Sequence, residues 1–244
     1  WCNEPFTPAN GGLFKSVDAG ESWRSVGDSF GSPLQGIVGA LAAHPQDPAT
    51  LLATVIGVQS GGVFGSANGG TSWALKLSIA LSRTSSPQSA LAIARKAPAN
   101  VYASYVTFGR YSAVPTTVKS TDGGKTWSPS GLGLAVAVTT FAIDPVDLAT
   151  VYAGTTSSVY KSTNAGASWG EVGLSSSSVV ALAINPQNTS TLYAAANTGI
   201  FKSTDGGIAW TQVLTLSTNS LVIDPQAPTT LYAGTGNNGI LKST

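Results

Sequence analysis

Short apolar runs alternate with polar turns along the whole chain, and none keeps the 3.6-residue spacing of an amphipathic helix. Leu182-Ala-Ile, Leu192-Tyr-Ala-Ala and Gly199-Ile-Phe-Lys are typical runs, each closed within a few residues by Pro, Gly, Asn or Asp. Runs of about four to eight residues, rich in β-branched and aromatic side chains, read as strands. The pattern also repeats. An apolar run ending before Pro recurs at Leu41-Ala-Ala-His-Pro45, Phe141-Ala-Ile-Asp-Pro145, Leu182-Ala-Ile-Asn-Pro186 and Leu221-Val-Ile-Asp-Pro225, with a Pro-free copy at Leu91-Ala-Ile-Ala-Arg95. Proline has no N–H for a strand ladder, so it closes this first strand, A. Strand B follows at Leu51-Leu-Ala, Val101-Tyr-Ala, Val151-Tyr-Ala, Leu192-Tyr-Ala and Leu231-Tyr-Ala. Strand C is the Gly-Ile-Phe-Lys-Ser run, and strand D is expected to begin at the Thr/Ser-Trp pair after it.

Between C and D lies one motif, Ser-x-Asp/Asn-x-Gly-x-x-Trp, present five times. Its copies hold Asp18 and Trp23, Asn68 and Trp73, Asp122 and Trp127, Asn164 and Trp169, and Asp205 and Trp210. Ser243-Thr244 has the first two residues of a sixth. The tryptophans are spaced by 50, 54, 42 and 41 residues. Four strands per period of that length describe a blade, and the expected fold is an all-β propeller of four-stranded antiparallel blades. The whole chain, 1–244, reads as one domain. It holds strands C and D of one blade at 11–30, repeats near 36–80, 88–132, 136–173 and 178–215, and a partial repeat at 218–244. Five to seven blades fit this count: the two ends share one blade of a small ring, or the chain is part of a larger ring.

The motif resembles the Asp-box, or bacterial neuraminidase repeat, of sialidases, xyloglucan hydrolases, sortilin-type receptors and Ycf48-like assembly factors. That resemblance implies a box in the hairpin between the third and fourth strands, away from the ligand face. It also implies a Trp packed between blades and an acidic side chain bonded to amides of its own turn. The residues agree, because an Asp or Asn two positions before Gly is a turn acceptor, and Asn68 and Asn164 do that work without an acid.

Charge narrows the functions. Only 9% of residues are charged, net charge is +1 and there are four arginines, so no cluster of Lys and Arg exists to neutralise nucleic-acid phosphates. Cys2 and His44 are the single cysteine and histidine, which excludes an internal disulfide and a zinc centre; no metal or cofactor is implied. No apolar run is long enough for a membrane-spanning helix. A Ser/Thr-rich chain that opens on Trp1 and lacks methionine is expected to be a processed or trimmed, secreted or surface-exposed protein.

Catalytic constellations are poorly supplied. A sialidase clamps its substrate carboxylate with three arginines, and Arg24, Arg83, Arg95 and Arg110 show no such context. Glycosidases need two facing carboxylates. Asp18, Asp122 and Asp205 are box residues, Asp144 and Asp224 end strand A, Asp47 and Asp147 lie in the next turn, and Glu21 is a variable box position. Glu4, Asp28 and Glu171 are left. His44 takes the slot of Asp144, Asn185 and Asp224, which makes it a turn residue. Lys15, Lys119, Lys161, Lys202 and Lys242 each precede a motif serine, and spread around a ring they are expected to solvate strand edges.

The strongest departure from the repeat is in the third unit, where the B–C connection is expected to swell into a loop from Ser104 to Thr117. It carries Tyr105, Phe108, Arg110 and Tyr111, with Asp28 and Phe30 of the first D–A loop on the same face, opposite the boxes. Aromatic loops on a rigid scaffold suit ligand contact. The expected function is a non-catalytic binding propeller for a glycan or protein partner, with a xyloglucanase-like glycoside hydrolase or a Ycf48-like assembly factor as the other readings.

Overall fold

A computed structural model describes residues 13–26, 36–57, 60–80, 89–108 and 113–243, and every regular element among them is a β-strand. Sheet I pairs β1 (Phe14–Lys15) with β2 (Arg24–Ser25). Sheet II is β3 (Gly36–Ala43), β4 (Leu51–Gly57), β5 (Ser60–Ser66) and β6 (Ala74–Ala80). Sheet III is β7 (Ser89–Ile93), β8 (Val101–Phe108), β9 (Ala113–Ser120) and β10 (Ser128–Pro129). Sheet IV is β11 (Val138–Ile143), β12 (Val151–Thr155), β13 (Val159–Ser162) and β14 (Gly170–Gly173). Sheet V is β15 (Val179–Ile184), β16 (Leu192–Ala196), β17 (Gly199–Ser203) and β18 (Thr211–Leu214). Sheet VI is β19 (Thr218–Ile223), β20 (Leu231–Thr235) and β21 (Ile240–Lys242).

Each sheet is an antiparallel meander in sequence order. The first strands of successive sheets lie side by side, β3 with β7, β7 with β11, β11 with β15 and β15 with β19, so they form the inner edge of the array. Four of these five strands carry a register shift at one place, between Val38 and Ala40, Val138 and Thr140, Val179 and Ala181, and Thr218 and Ser220. An extra residue there raises the local twist. In sheet IV the extra residue, Thr139, donates its hydroxyl to the carbonyls of Gly154 and of Val179 in the next sheet.

The core is a row of layers between sheets. One joins Ala90 and Tyr102 of sheet III to Phe141, Val151 and Trp169 of sheet IV, and the next joins Tyr152 and Val159 to Val179 and Leu192 of sheet V. Strand periodicity makes this possible: alternate residues of one sheet face its two neighbours.

Two expectations are corrected. The fourth strand starts one residue beyond the motif tryptophan, at Arg24, Ala74, Ser128, Gly170 and Thr211, because the indole is still part of the turn. Within the expected loop, residues 104–108 and 113–117 are also strand. β8 and β9 pair continuously from Val101↔Ser120 to Phe108↔Ala113, since Tyr105-Val-Thr and Val114-Pro-Thr-Thr keep the alternation and β-branching of strands.

Candidate functional site

The five boxes share one set of bonds. The serine hydroxyl donates to Oδ1 of the Asp or Asn and accepts the amide of the motif glycine, as in Ser120 with Asp122 at 2.7 Å and Gly124 at 2.8 Å. The indole N–H then donates to the glycine carbonyl, at 3.1 Å for Trp127 and Gly124. Where a hydroxyl stands four residues after the Asp or Asn, acid and amide boxes reverse the direction of one bond; the Asp205 box has Ala209 there and takes its amide instead. Thr126 donates its hydroxyl to Asp122 Oδ2 at 2.6 Å, whereas Asn68 and Asn164 donate from Nδ2 to Ser72 and Ser168 at 2.8 Å. These bonds hold the Asp18 carboxyl down at about 2, chiefly through the Ser22 hydroxyl, and lower Asp122 through Thr126 and Asp205 through the Ala209 amide. A general acid needs the opposite shift.

Three of the boxes are gripped by the sheet before them. Lys119 Nζ and Tyr102 Oη of sheet III both donate to the Ala165 carbonyl in the box of sheet IV, each at 3.0 Å. Tyr152 Oη and Lys161 Nζ do the same to Gly206 in sheet V, at 3.0 and 3.2 Å, and Lys15 Nζ reaches Gly69 at 2.9 Å. The pairs are set by strand register, Tyr102 opposite Lys119 and Tyr152 opposite Lys161, with each ammonium above its partner's ring at 5.4 and 5.2 Å. Burial pushes the Tyr102 phenol up to about 12 and the Lys119 ammonium down. Lys15, Lys119 and Lys161 are therefore clasps between blades rather than solvated strand edges. The signal was in the repeats: the Tyr of strand B and the Lys of strand C occur together, and in the second unit both are replaced, by Leu52 and Gly65.

The tryptophans complete these junctions. Trp127 packs on Leu52 and Val63 of sheet II, Trp169 on Tyr102 of sheet III and Trp210 on Tyr152 of sheet IV. Trp23 differs: it is exposed, because sheet I is first in the described array and no described residue packs on its outer face.

The opposite face is uneven. Strand C runs from the B–C connection to the box, so the two lie at opposite ends of the blade. In sheet IV the β12–β13 ladder stops at Gly154↔Val159. The equivalent pair in sheet III is Ser104↔Thr117, and four more follow it, Tyr105↔Thr116, Val106↔Pro115, Thr107↔Val114 and Phe108↔Ala113. At about 3.3 Å per residue the hairpin rises roughly 13 Å above its neighbour. Sheet II extends two pairs past its own equivalent, Thr54↔Val63, to Ile56↔Gly61. Sheets II and III thus form a raised wall beside a lower rim.

Of the six residues expected at a ligand site, Asp28, Phe30, Arg110 and Tyr111 lie outside the described residues. Phe108 is placed by its backbone, as the last residue of β8. Tyr105 is half-buried against the layer of Leu52, Val63, Val101 and Val118 between sheets II and III, and that burial raises its phenol pKa. It braces the wall at its foot.

The remaining carboxylates on the described chain are mostly turn acceptors. Asp144 Oδ1 takes the amides of Val146 and Asp147, and Asp224 Oδ1 those of Gln226 and Ala227. His44 Nδ1 takes the matching amides of Gln46 and Asp47, at 3.2 and 3.0 Å. Asp47 and Asp147 bond Thr50 and Thr150, which lowers both carboxyls. Glu171 accepts the Ser175 hydroxyl at 2.8 Å. Among the described residues no group of His, Cys, Asp and Glu could hold a metal ion.

Meandering four-stranded sheets set side by side by their first strands define a β-propeller. It is one of the BNR/Asp-box type: the model of the BNR/Asp-box repeat matches residues 118–129, the third box with its flanking strands. Among solved structures the chain is similar to a GH74 enzyme from Niastella koreensis, with a TM-score of 0.72 and 17% identity over 94% of this chain and 38% of that one. An ancestral GH74 enzyme gives 0.73 and 22% over 96% and 33%, and Ycf48 bound to D1 peptide gives 0.61 and 17% over 94% and 70%. The chain thus spans about a third of the length of these GH74 enzymes. No curated protein sequence matches it.

Proposed function

We propose that this propeller is a non-catalytic binding module, displayed outside the cell, that holds a glycan or a protein segment on the face opposite its boxes. The observation that carries this reading is the raised hairpin of sheet III, four residue pairs taller than sheet IV. A ladder of backbone bonds keeps such a wall rigid at little entropic cost to a ligand. The use of nearly every described carboxylate inside its own turn supports a role without acid–base chemistry. The low-charge, Ser/Thr-rich composition supports the location. A Ycf48 of the same fold is bound to D1 peptide, which keeps a peptide among the ligands to try.

The test replaces residues 105–116 with the short Thr155–Ser158 connection of sheet IV and compares both proteins on a glycan array and a peptide array. Binding that falls at least roughly tenfold on shortening, about 1.4 kcal/mol, supports the site. Equal binding by the two proteins removes it. The fold likeness to GH74 enzymes favours one second reading, a glycoside hydrolase whose carboxylate pair draws on a longer chain than these 244 residues. Release of reducing ends from xyloglucan by this protein would replace the first reading with the second.

A further inference from the structure

We propose that the groove between sheets II and III is a binding site for a neutral phenol, which completes the clasp that this junction lacks. The site lies among the boxes, apart from the raised hairpin, and does not rest on the binding role proposed above. At the two full clasps a tyrosine hydroxyl and a lysine ammonium meet one turn carbonyl, that of Ala165 or of Gly206. The equivalent oxygen beside sheet II belongs to Gly123, and among the described residues no side chain donates to it. The space in front of that turn is open as well. A Cβ at Gly206 would stand 3.2 Å from Lys161 Nζ and 3.5 Å from Tyr152 Oη, whereas one at Gly123 would meet nothing within 4 Å.

The two halves of the missing clasp differ, and the difference selects the ligand. The lysine place is crossed by another side chain, because Lys76 Cε lies 2.7 Å from where a Cβ would stand at Gly65. Lys76 and Lys125 both line the groove on that side, and their charges repel an ammonium. The tyrosine place is half filled. Leu52 brings its methyl groups to 3.4 Å from a Cβ at Gly124, as Tyr152 Cε1 comes to 3.3 Å from one at Gly207, but leucine carries no hydroxyl on to the carbonyl.

Beside Leu52 the groove of about 330 Å³ is lined by Ile93, Pro98 and Val101 and by Asp122 and Gly123 of the box. A cavity of roughly 150 Å³ suffices for benzene, so one ring fits here. Apolar walls take the ring, and the free carbonyl takes its hydroxyl. Asp122, kept ionised by the Thr126 hydroxyl, repels a phenolate and leaves the neutral form as the ligand.

A nuclear magnetic resonance titration of the 244-residue chain with p-cresol tests this at about pH 7, where a phenol is neutral. The expected result is saturable shifts at the Gly123 and Gly124 amides, with a dissociation constant on the order of 1 mM. Ring protons should give cross-relaxation to the methyl groups of Leu52, Ile93 and Val101, and the clasped Gly206 amide should stay unmoved. The methyl ether, 4-methylanisole, has no donor for Gly123 and should bind roughly fivefold more weakly. Leu52→Tyr fills the place from within and should abolish binding, with far-UV circular dichroism to show that it folds; if it does not fold, the cross-relaxation map of the parent decides. N-acetyltyrosinamide separates two sources of the same group. Shifts at the same amides support a tyrosine side chain of a peptide, and binding of p-cresol without it supports a free phenol. No saturable shift up to about 20 mM, far above that constant, overturns the proposal. So do an ether that binds as well as the phenol, and a folded Leu52→Tyr protein that binds like the parent.

Discussion

Tyr152 Oη donates to the Gly206 carbonyl at 3.0 Å, across the junction of sheets IV and V and 54 residues along the chain. The bond is buried, and Lys161 Nζ reaches the same oxygen at 3.2 Å. One carbonyl with two donors joins the ring of one sheet to the turn of the next. The box and the clasp are thus one device. The box turns a carbonyl outward, and the preceding sheet holds it.

Removing the donors tests whether they act together. Tyr152→Phe and Lys161→Met should each cost about 1 kcal/mol, because the carbonyl keeps one partner. The double variant leaves a buried acceptor with neither, so its loss should exceed the sum of the singles by roughly 0.5–1 kcal/mol. A double-mutant cycle from urea unfolding measures this, and simple additivity would mean that the two bonds are independent.

Glycine in the boxes has a second test. Gly20 and Gly166 both have positive φ, 94° and 84°, so alanine at either is strained by about 1–2 kcal/mol. A methyl at Gly20 meets nothing within 4 Å, but at Gly166 it would stand 2.6 Å from Ser130 Oγ and 2.8 Å from Tyr102 Cε1. Gly166→Ala should therefore lose roughly 1–3 kcal/mol more than Gly20→Ala, the usual cost of overpacking. Equal losses would show that backbone strain alone requires the glycine.

Acid should act through the acidic boxes. The Asp18 carboxyl is held at about 2 from its ordinary 3.8, and Asp122 is lowered in the same way by Thr126. A lowered folded pKa means stability that is complete above 3.8 and lost as pH falls through about 2. Asp18→Asn with Asp122→Asn should stay folded at neutral pH, since Asn68 and Asn164 already serve with a serine at the same place. Its melting temperature should fall less than the parent's between those two pH values. Parallel profiles would place the acid sensitivity elsewhere.

The strands and boxes were legible because both rest on local chemistry, alternation for the one and a side chain bonding its own turn for the other. His44 was legible for the same reason: its slot between Ile-type runs and Pro45 fixes an acceptor role that an imidazole nitrogen fills as well as Asp144 does. The clasps were not read, because a lysine before each serine shows its partner only when the next blade is set beside it. Residues 104–108 and 113–117 were misjudged from length alone. A stretch that outgrows its neighbours can rise as a loop or as a longer ladder, and the alternation of Tyr105-Val-Thr already favoured the ladder. Tyr105 packs against the layer beneath it.

The second sheet offers the last prediction, because it lacks the clasp. Leu52 and Gly65 pair across β4 and β5 where Tyr152 and Lys161 pair in sheet IV. With smaller side chains there, the junction to sheet III keeps two grooves beside Leu52 and Gly123, of about 330 and 400 Å³. Leu52→Tyr has room for its ring, and its hydroxyl can reach the Gly123 carbonyl as Tyr152 reaches Gly206. The nearest neighbours of a new Cβ at Gly65 are the Lys76 side chain and the tip of Leu52, the closest being Lys76 Cε at 2.7 Å, and that lysine is exposed and can swing aside for Gly65→Lys. The tyrosine alone should add about 0.5–1 kcal/mol, one net hydrogen bond. The lysine should add more in the Leu52→Tyr background than beside the native leucine, because a ring then lies under its ammonium. Gly65→Ala separates this from the lower entropy of an unfolded chain without that glycine. Guanidinium unfolding of the parent and these variants measures each step. A tyrosine that lowers stability would mean that the grooves do not yield to it, and that the second junction is packed for leucine.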